Sequence, residues 1–222
     1  MGTLPKIGPD SDEYVRKFRA VKVSDPVGLV SASGGKLLFL DMTGPVGGQY
    51  SVSASEGERS RVTSLGWGFS SRPATSPSAE VGLDVPLYVS AMVEDEERST
   101  EFYLDVGGET TSGNRFAVSM TEEDRIPSSV LHCEAVDAVR EGETKVCFQD
   151  RIRLKSMHGD VATYLDVRGP GDDGNKFAVS MTEDRDRPTT IWIVRHANDI
   201  LPTGLEFVGL DPKAPPPPLM GL

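Results

Sequence analysis

A twenty-residue segment of this chain, Phe102 to Thr121, reads "FYLDVGGETTSGNRFAVSMT" and recurs at Thr163 to Thr182 as "TYLDVRGPGDDGNKFAVSMT". A more divergent copy, "LFLDMTGPVGGQYSVSAS", stands at Leu38 to Ser55. Aligned on the Leu-Asp pair, Asp41, Asp105 and Asp166 fall in register, separated by 64 and 61 residues. The downstream aromatics Tyr50, Phe116 and Phe177 align with them. A unit repeated at this period rules out most folds before any single residue is considered.

Each copy has an apolar run ending in Leu-Asp, then Gly-rich punctuation, then strict alternation. Phe116, Val118 and Met120 share one face, and Arg115, Ala117, Ser119 and Thr121 the other. Phe177, Val179 and Met181, and Tyr50, Val52 and Ala54, keep the same period. That pattern predicts strand, turn and strand with one face buried. An isolated hairpin is marginal in water, so the copies must bury their apolar faces on one another.

Solenoid repeats are shorter, and propeller blades of about 40–50 residues number at least four. Three units of about 60 residues, each with room for four strands, suit a closed three-fold barrel. Spacing alone equally allows a sandwich with an internal duplication. At 222 residues the chain holds one all-β domain of ordinary size, or two. A chain this long buries enough surface to need no metal or disulfide. Its 23 glycines and 16 prolines suit short strands joined by many turns.

The net charge of −11 repels phosphate backbones and anionic membrane surfaces, which excludes nucleic acid as the expected partner. No apolar run reaches 18 residues, so no membrane insertion is expected. The first residues, "MGTLPKIGPDSDEY", lack the apolar core of a secretory signal, which predicts a cytoplasmic or non-classically secreted protein. Cys133 and Cys147 are too few for a disulfide framework and read as free, partly buried thiols, although a bridge between neighbouring strands is conceivable.

Taken in order, residues 1–13 are polar and predict a disordered N-terminus. Tyr14 to Val23 alternates as an opening strand, and Gly28 to Asp41 reads as a hairpin turning at Ser33-Gly34-Gly35. Strands follow at Tyr50 to Ala54 and around Trp67, and the Ser/Pro-rich stretch from Ser70 to Gly82 marks a boundary between repeats. The second repeat opens at "VPLYVSAMV" and closes at "SSVLHCEAV"; Asp137 to Thr144 reads as a loop or one helical turn. The third opens at "KVCFQDRIRLKSM", turns at His158-Gly159-Asp160 and ends in "TTIWIVRHA". Gly204 to Leu210 reads as a final strand pairing with the first. The expected organisation is one domain over 14–211, with repeats at about 14–72, 83–136 and 145–210. The Pro-rich tail 212–222 cannot form sheet and is expected to be disordered or a polyproline ligand.

The segments "YLDVRGPGDDGNKFAV" and "YLDVGGETTSGNRFAV" resemble the ricin-B-type lectin repeat, in which Cys-Leu-Asp-Val, a Gly/Asn-rich turn and Gly-Asn precede an alternating strand ending in Gln-x-Trp. The resemblance covers the middle of each repeat and implies an all-β fold, the β-trefoil. That fold has three pseudo-symmetric repeats, a closed barrel and a hairpin cap. It also implies a non-enzymatic carbohydrate-binding module with up to three related sites. Asp41, Asp105 and Asp166 would accept hydrogen bonds from sugar hydroxyls, and Asn114 and Asn175 would complete the polar clamp.

Two departures keep alternatives open. Ser53, Ser119 and Ser180 stand where the family strand carries an aromatic, and no fourth strand contains Gln-x-Trp. Fascin-like actin-bundling trefoils and fungal trefoil protease inhibitors also lack it, so the alternative is a protein-binding trefoil gripping its partner through variable loops. The aspartates have a structural role open to them as well, since an Asp before a Gly-rich turn bonds backbone N–H groups in its own turn.

Nothing else in the chain points to chemistry. The turns "MTEEDRIP" and "MTEDRDRP" read as solvated and self-paired, without the spacing of a calcium loop. His132, His158 and His196 have no zinc-ligand spacing, and no nucleophile elbow or phosphate-binding loop occurs. No cofactor and no metal are expected. Trp67 and Trp192 read as core residues of the fourth strands.

Overall fold

The computed structural model describes residues 19–33, 36–46, 49–56, 66–71, 76–94, 99–109, 114–122, 126–136, 144–170 and 176–197. Its named elements are twelve strands and two single-turn 3-10 helices. The first four strands are β1 (Val27–Ser33), β2 (Lys36–Val46), β3 (Gln49–Glu56) and β4 (Trp67–Ser71). The next four are β5 (Pro86–Glu94), β6 (Ser99–Glu109), β7 (Phe116–Thr121) and β8 (Leu131–Ala135). The last are β9 (Arg151–His158), β10 (Val161–Pro170), β11 (Lys176–Thr182) and β12 (Trp192–His196). The 3-10 turns, Pro127–Ser129 and Pro188–Thr190, lead into β8 and β12.

Six strands pair in a closed ring, β1–β4–β5–β8–β9–β12 and back to β1, every pair antiparallel. Closure removes the exposed edges that an open sheet would present. The remaining six form three hairpins, β2–β3, β6–β7 and β10–β11. These hairpins pair with one another in a triangle, β3–β7, β7–β11 and β11–β3. Their registers match: Asp41 opposes Ser53, Asp105 opposes Ser119 and Asp166 opposes Ser180. Each hairpin shifts register soon after its aspartate, between Thr43 and Val46, Val106 and Glu109, and Arg168 and Pro170. The three copies of the sequence therefore pair in like register, each with an irregularity that begins one or two residues past its aspartate.

A third ring joins the segments that enter each repeat. The Val21 N–H donates to the Val146 carbonyl, Val146 to Val81, and Val81 to Val21, at 2.8, 2.9 and 2.8 Å. All three valines are buried in the main core. This corrects the expected opening strand, because the described part of it, residues 19–23, forms only isolated bridges to Cys147 and Glu80. The alternation there serves a segment that is apolar inward at Val21, not a strand in a ladder. The expected closing strand at Gly204 to Leu210 lies outside the described residues, among which the ring is already complete. The barrel is shut by β12 on β1, with Val27 opposite His196 and Ser31 opposite Trp192. Residues 204–210, 1–13, 137–143 and 212–222 lie outside the described residues.

The core gathers the inward residues of every repeat. Leu40, Leu104 and Leu165, each beside an aligned aspartate, are fully buried; burial of such a side chain stabilises by about 1.5–3 kcal/mol. Trp67 and Trp192 lie in the core, and their indole N–H groups donate to the carbonyls of Leu40 and Leu165, each at 3.0 Å. In the second repeat the equivalent residue is Leu131, also buried. The turn after β9 needs Gly159, whose φ of +60° is open to glycine without a steric penalty.

Candidate functional site

The three aligned aspartates occupy equivalent backbone positions but different environments. Period two sets their direction: Leu40, Leu104 and Leu165 point into the core, so each following aspartate points away from it. What covers them on that side differs from one repeat to the next.

Asp41 is 0% exposed and accepts a hydrogen bond from Ser55 Oγ at 2.9 Å. Asp166 is 1% exposed. Its Oδ2 accepts from Asn114 Nδ2 at 3.0 Å and from Arg187 Nη1 at 3.2 Å, and its Oδ1 accepts from Thr189 Oγ1. Asn114 is itself buried; its Nδ2 also donates to Ser180 Oγ at 2.7 Å, and its Oδ1 accepts from Arg187 Nη1 at 2.9 Å. Asn114 and Asp166 thus meet in one cluster that ties the second repeat to the third. These groups are shielded from solvent and their bonds run within the fold, and the partners just named are side chains, not the backbone N–H groups of the aspartate's own turn. Asn175 lies outside the described residues.

Asp105 is different. It is half-buried, and the hydrogen bond that reaches it is a long one, from Ser129 Oγ at 3.4 Å. The cause lies in the sequence of the preceding turn. Where the third repeat has Arg187 before its proline, the second has Ile126, which has no charge to offer a carboxylate. Asp105 therefore keeps acceptor capacity toward solvent.

Alternation along β6 places Glu101, Tyr103 and Asp105 on one outward face, between the buried Phe102, Leu104 and Val106. Ser119 lies opposite Asp105 and Thr121 opposite Tyr103. The half-buried Tyr103 ring packs edge-on against Tyr88, centroids 6.0 Å apart, and its hydroxyl donates to Glu101 Oε2 at 2.8 Å. Glu101 Oε1 accepts from Ser90 Oγ at 2.6 Å. An aromatic ring, two carboxylates and two hydroxyls thus share one patch. Reading for an aromatic at the family's strand position missed Tyr103. The period-two rule applied backward from Asp105 finds it, because residues two apart on a strand share a face.

The acidic turn of the third repeat pairs beyond itself as well as within itself, while residues 123–125 of the second lie outside the described residues. Arg187 does pair with Asp184 at 3.2 Å, but it reaches Asp166 as well. Arg185 reaches Glu134 on β8, its Nε at 2.6 Å, and Glu183 pairs with Arg115. The physical reason is that the chain turns back over the hairpin, which brings these side chains within reach of other strands. Cys133 and Cys147 are both free and buried. Among the described residues no group of three His, Cys, Asp or Glu side chains converges as a metal site would require. None of the helices among the described residues is long and apolar enough to cross a membrane.

No family model matches the chain, and no curated protein matches it by sequence. Solved structures do match in shape. A Caenorhabditis elegans protein of unknown function superposes with a TM-score of 0.61 at 13% identity, over 86% of this chain and 99% of that one. The SDF2-like protein from Arabidopsis thaliana gives 0.53 at 17% identity, over 78% of this chain and 94% of its own. The ligand binding domain of botulinum neurotoxin serotype D, solved in complex with N-acetylneuraminic acid, gives 0.53 at 11% identity, covering 79% of this chain and 42% of that domain. At these identities the likeness is one of fold alone.

Proposed function

We propose that this chain is a β-trefoil, and that it is a non-enzymatic glycan-binding module whose principal site is the outward face of β6 around Asp105. The six-strand ring, the triangle of hairpins and their matched registers support the fold reading. The observation that carries the functional reading is the contrast among the three aspartates. Asp41 and Asp166 are sealed within the fold, whereas Asp105 is half-buried beside Tyr103 with, among the described residues, one long hydrogen bond.

A sugar presents hydroxyls to a carboxylate and a C–H face to an aromatic ring, and this patch offers both within one strand. Asp105 accepts from ring hydroxyls, Ser119 adds a donor or acceptor, and Tyr103 supplies the apolar face. Reactive groups have no part in such binding, so the module binds without turnover. The sugar complex of a domain sharing this fold lends support. The reading carries one main site in the second repeat in place of three equal ones.

The test is a glycan array probed with wild type and with Asp105→Asn, both shown to be folded by their thermal midpoints. The expected result is saturable binding by wild type and a loss of about tenfold or more in the variant, the scale of a charge-assisted hydrogen bond. Absence of binding by the folded wild type would overturn the reading and favour a protein surface as partner.

A further inference from the structure

The outward face of the third repeat carries a second feature that the fold does not require. Along β9, Ile152 and Leu154 enter the core, so Arg153 and Lys155 lie on the opposite face. Register brings Glu134 of β8 opposite Arg153, and Tyr164 of β10 opposite Lys155. The equivalent positions in the first repeat are apolar, with Val30 and Phe39 packed against Ile193. In the second they are Tyr88, Ser90 and Tyr103. Only the third repeat concentrates positive charge there, on a chain whose net charge is −11.

Arg153 is 8% exposed, which is rare for an arginine. Its Nε donates to the Arg185 carbonyl at 2.9 Å and to Thr190 Oγ1 at 3.3 Å, which fixes the side chain. Among the described residues no acceptor meets its two Nη nitrogens, which are not sealed from solvent and so stay open to an incoming acceptor. Glu134 does not supply the missing partner. Its carboxylate is taken by Arg185, through Nε at 2.6 Å and through Nη2, with Lys155 Nζ 3.8 Å away. Arg185 and Lys155 therefore share this one carboxylate, among the described residues none reaches Arg153, and Asp186, a further acid near Tyr164, is exposed.

We propose that Arg153, Lys155, Arg185 and the Tyr164 hydroxyl form a site for a small oxyanion, the carboxylate of an acidic sugar or a sulfate or phosphate group. The planar guanidinium of Arg153 offers the paired donors that such groups accept. Burial, and then the field of Glu134, push the Tyr164 phenol above its ordinary value, so it stays protonated at neutral pH and can donate. The site is separate from the Asp105 face and does not depend on it.

The test is a 1H–15N NMR titration of the full chain with glucuronic acid, galactose 6-sulfate, inorganic phosphate and, as neutral control, glucose. Saturable shifts at Arg153 Nε–H and in the backbone of β9 and β10 are expected with the anions and not with glucose. Tighter binding of glucuronic acid than of phosphate supports the site and assigns it to acidic sugars, while tight binding of phosphate supports it as a free-oxyanion site. Lys155→Met and Tyr164→Phe should each weaken binding about three- to tenfold. Glu134→Gln should tighten it about threefold or more by releasing Arg185 and Lys155, a gain that damage to the fold cannot mimic. Absence of saturable shifts with every anion, or equal response to glucose, overturns the proposal, as does a Glu134→Gln variant that is folded and binds no better.

Discussion

Asn114 of the second repeat donates from Nδ2 to Asp166 of the third at 3.0 Å, and both side chains are buried. The pair closes a gap between two hairpins that sequence separates by 52 positions. Arg187 then bridges the two, giving one hydrogen to the Asn114 carbonyl oxygen and one to the carboxylate.

Removing the bridge from the asparagine side is the cleaner experiment, because Asp166 keeps Arg187 and Thr189. Asn114→Ala should destabilise the fold by about 2–3 kcal/mol, since buried hydrogen bonds are lost and Ser180 is left with less to bond. For a chain of this size that is a fall of roughly 4–12 °C in thermal midpoint, to be read by calorimetry. A change below a degree would show that the cluster contributes little.

Stability should fall in acid, and Asp25 accounts for part of the fall. Burial on its own raises the Asp25 carboxyl, but the Arg19 hydrogen bonds at 2.6 and 2.8 Å, the Lys22 N–H and the Arg19 charge together outweigh it and hold the group below its ordinary value. A carboxyl depressed by folding adds stability that is fully present above its unfolded pKa of about 3.9 and is lost as pH falls through the folded value. Asp25→Asn should therefore be less stable than wild type at pH 7, and the gap between the two midpoints should narrow as pH falls below about 3.9 and through the lower folded value. A constant gap down to pH 2 would contradict this.

Trp67 and Trp192 are the two tryptophans of the chain and both are buried. The native emission should be blue-shifted and shielded from iodide, and unfolding in urea should shift it to the red. Trp67→Phe removes the donor to the Leu40 carbonyl and leaves a cavity, at a cost of about 2–4 kcal/mol, read from the midpoint of the remaining Trp192 signal.

Neither cysteine should react in the folded protein. Burial, followed by the fields of Asp84 and Asp150, pushes the Cys133 thiol far above its ordinary value, so the nucleophilic thiolate is scarce at any usable pH. Cys147 is buried as well. A thiol reagent at pH 8 should label neither native cysteine and both of the 2 in denaturant. Rapid labelling of native protein would mean that the region around β8 opens.

Much of this architecture can be read from the repeats alone. Aligning Asp41, Asp105 and Asp166 predicts three like hairpins, and alternation at Val118, Met120, Val179 and Met181 predicts which face is buried. Period two is a local property, so it survives without knowledge of neighbours. The ring of Val21, Val81 and Val146 was not legible, because the bonds that make it join residues 60, 65 and 125 positions apart through backbone atoms that carry no residue signature. The same is true of closure by β12 on β1, which the alternation of the N-terminal segment obscured.

The recurring segments alone require that their apolar stripes share a core, since a lone hairpin cannot bury its own. Tertiary structure decided which of the three equivalent aspartates remains open. That depends on what is laid over each carboxylate: Arg187 reaches Asp166, while in the second repeat Ile126 stands at the matching place and, among the described residues, no cation reaches Asp105. Solvent exposure is a property of the packed neighbours, and identical motifs acquire different chemistry when those neighbours differ.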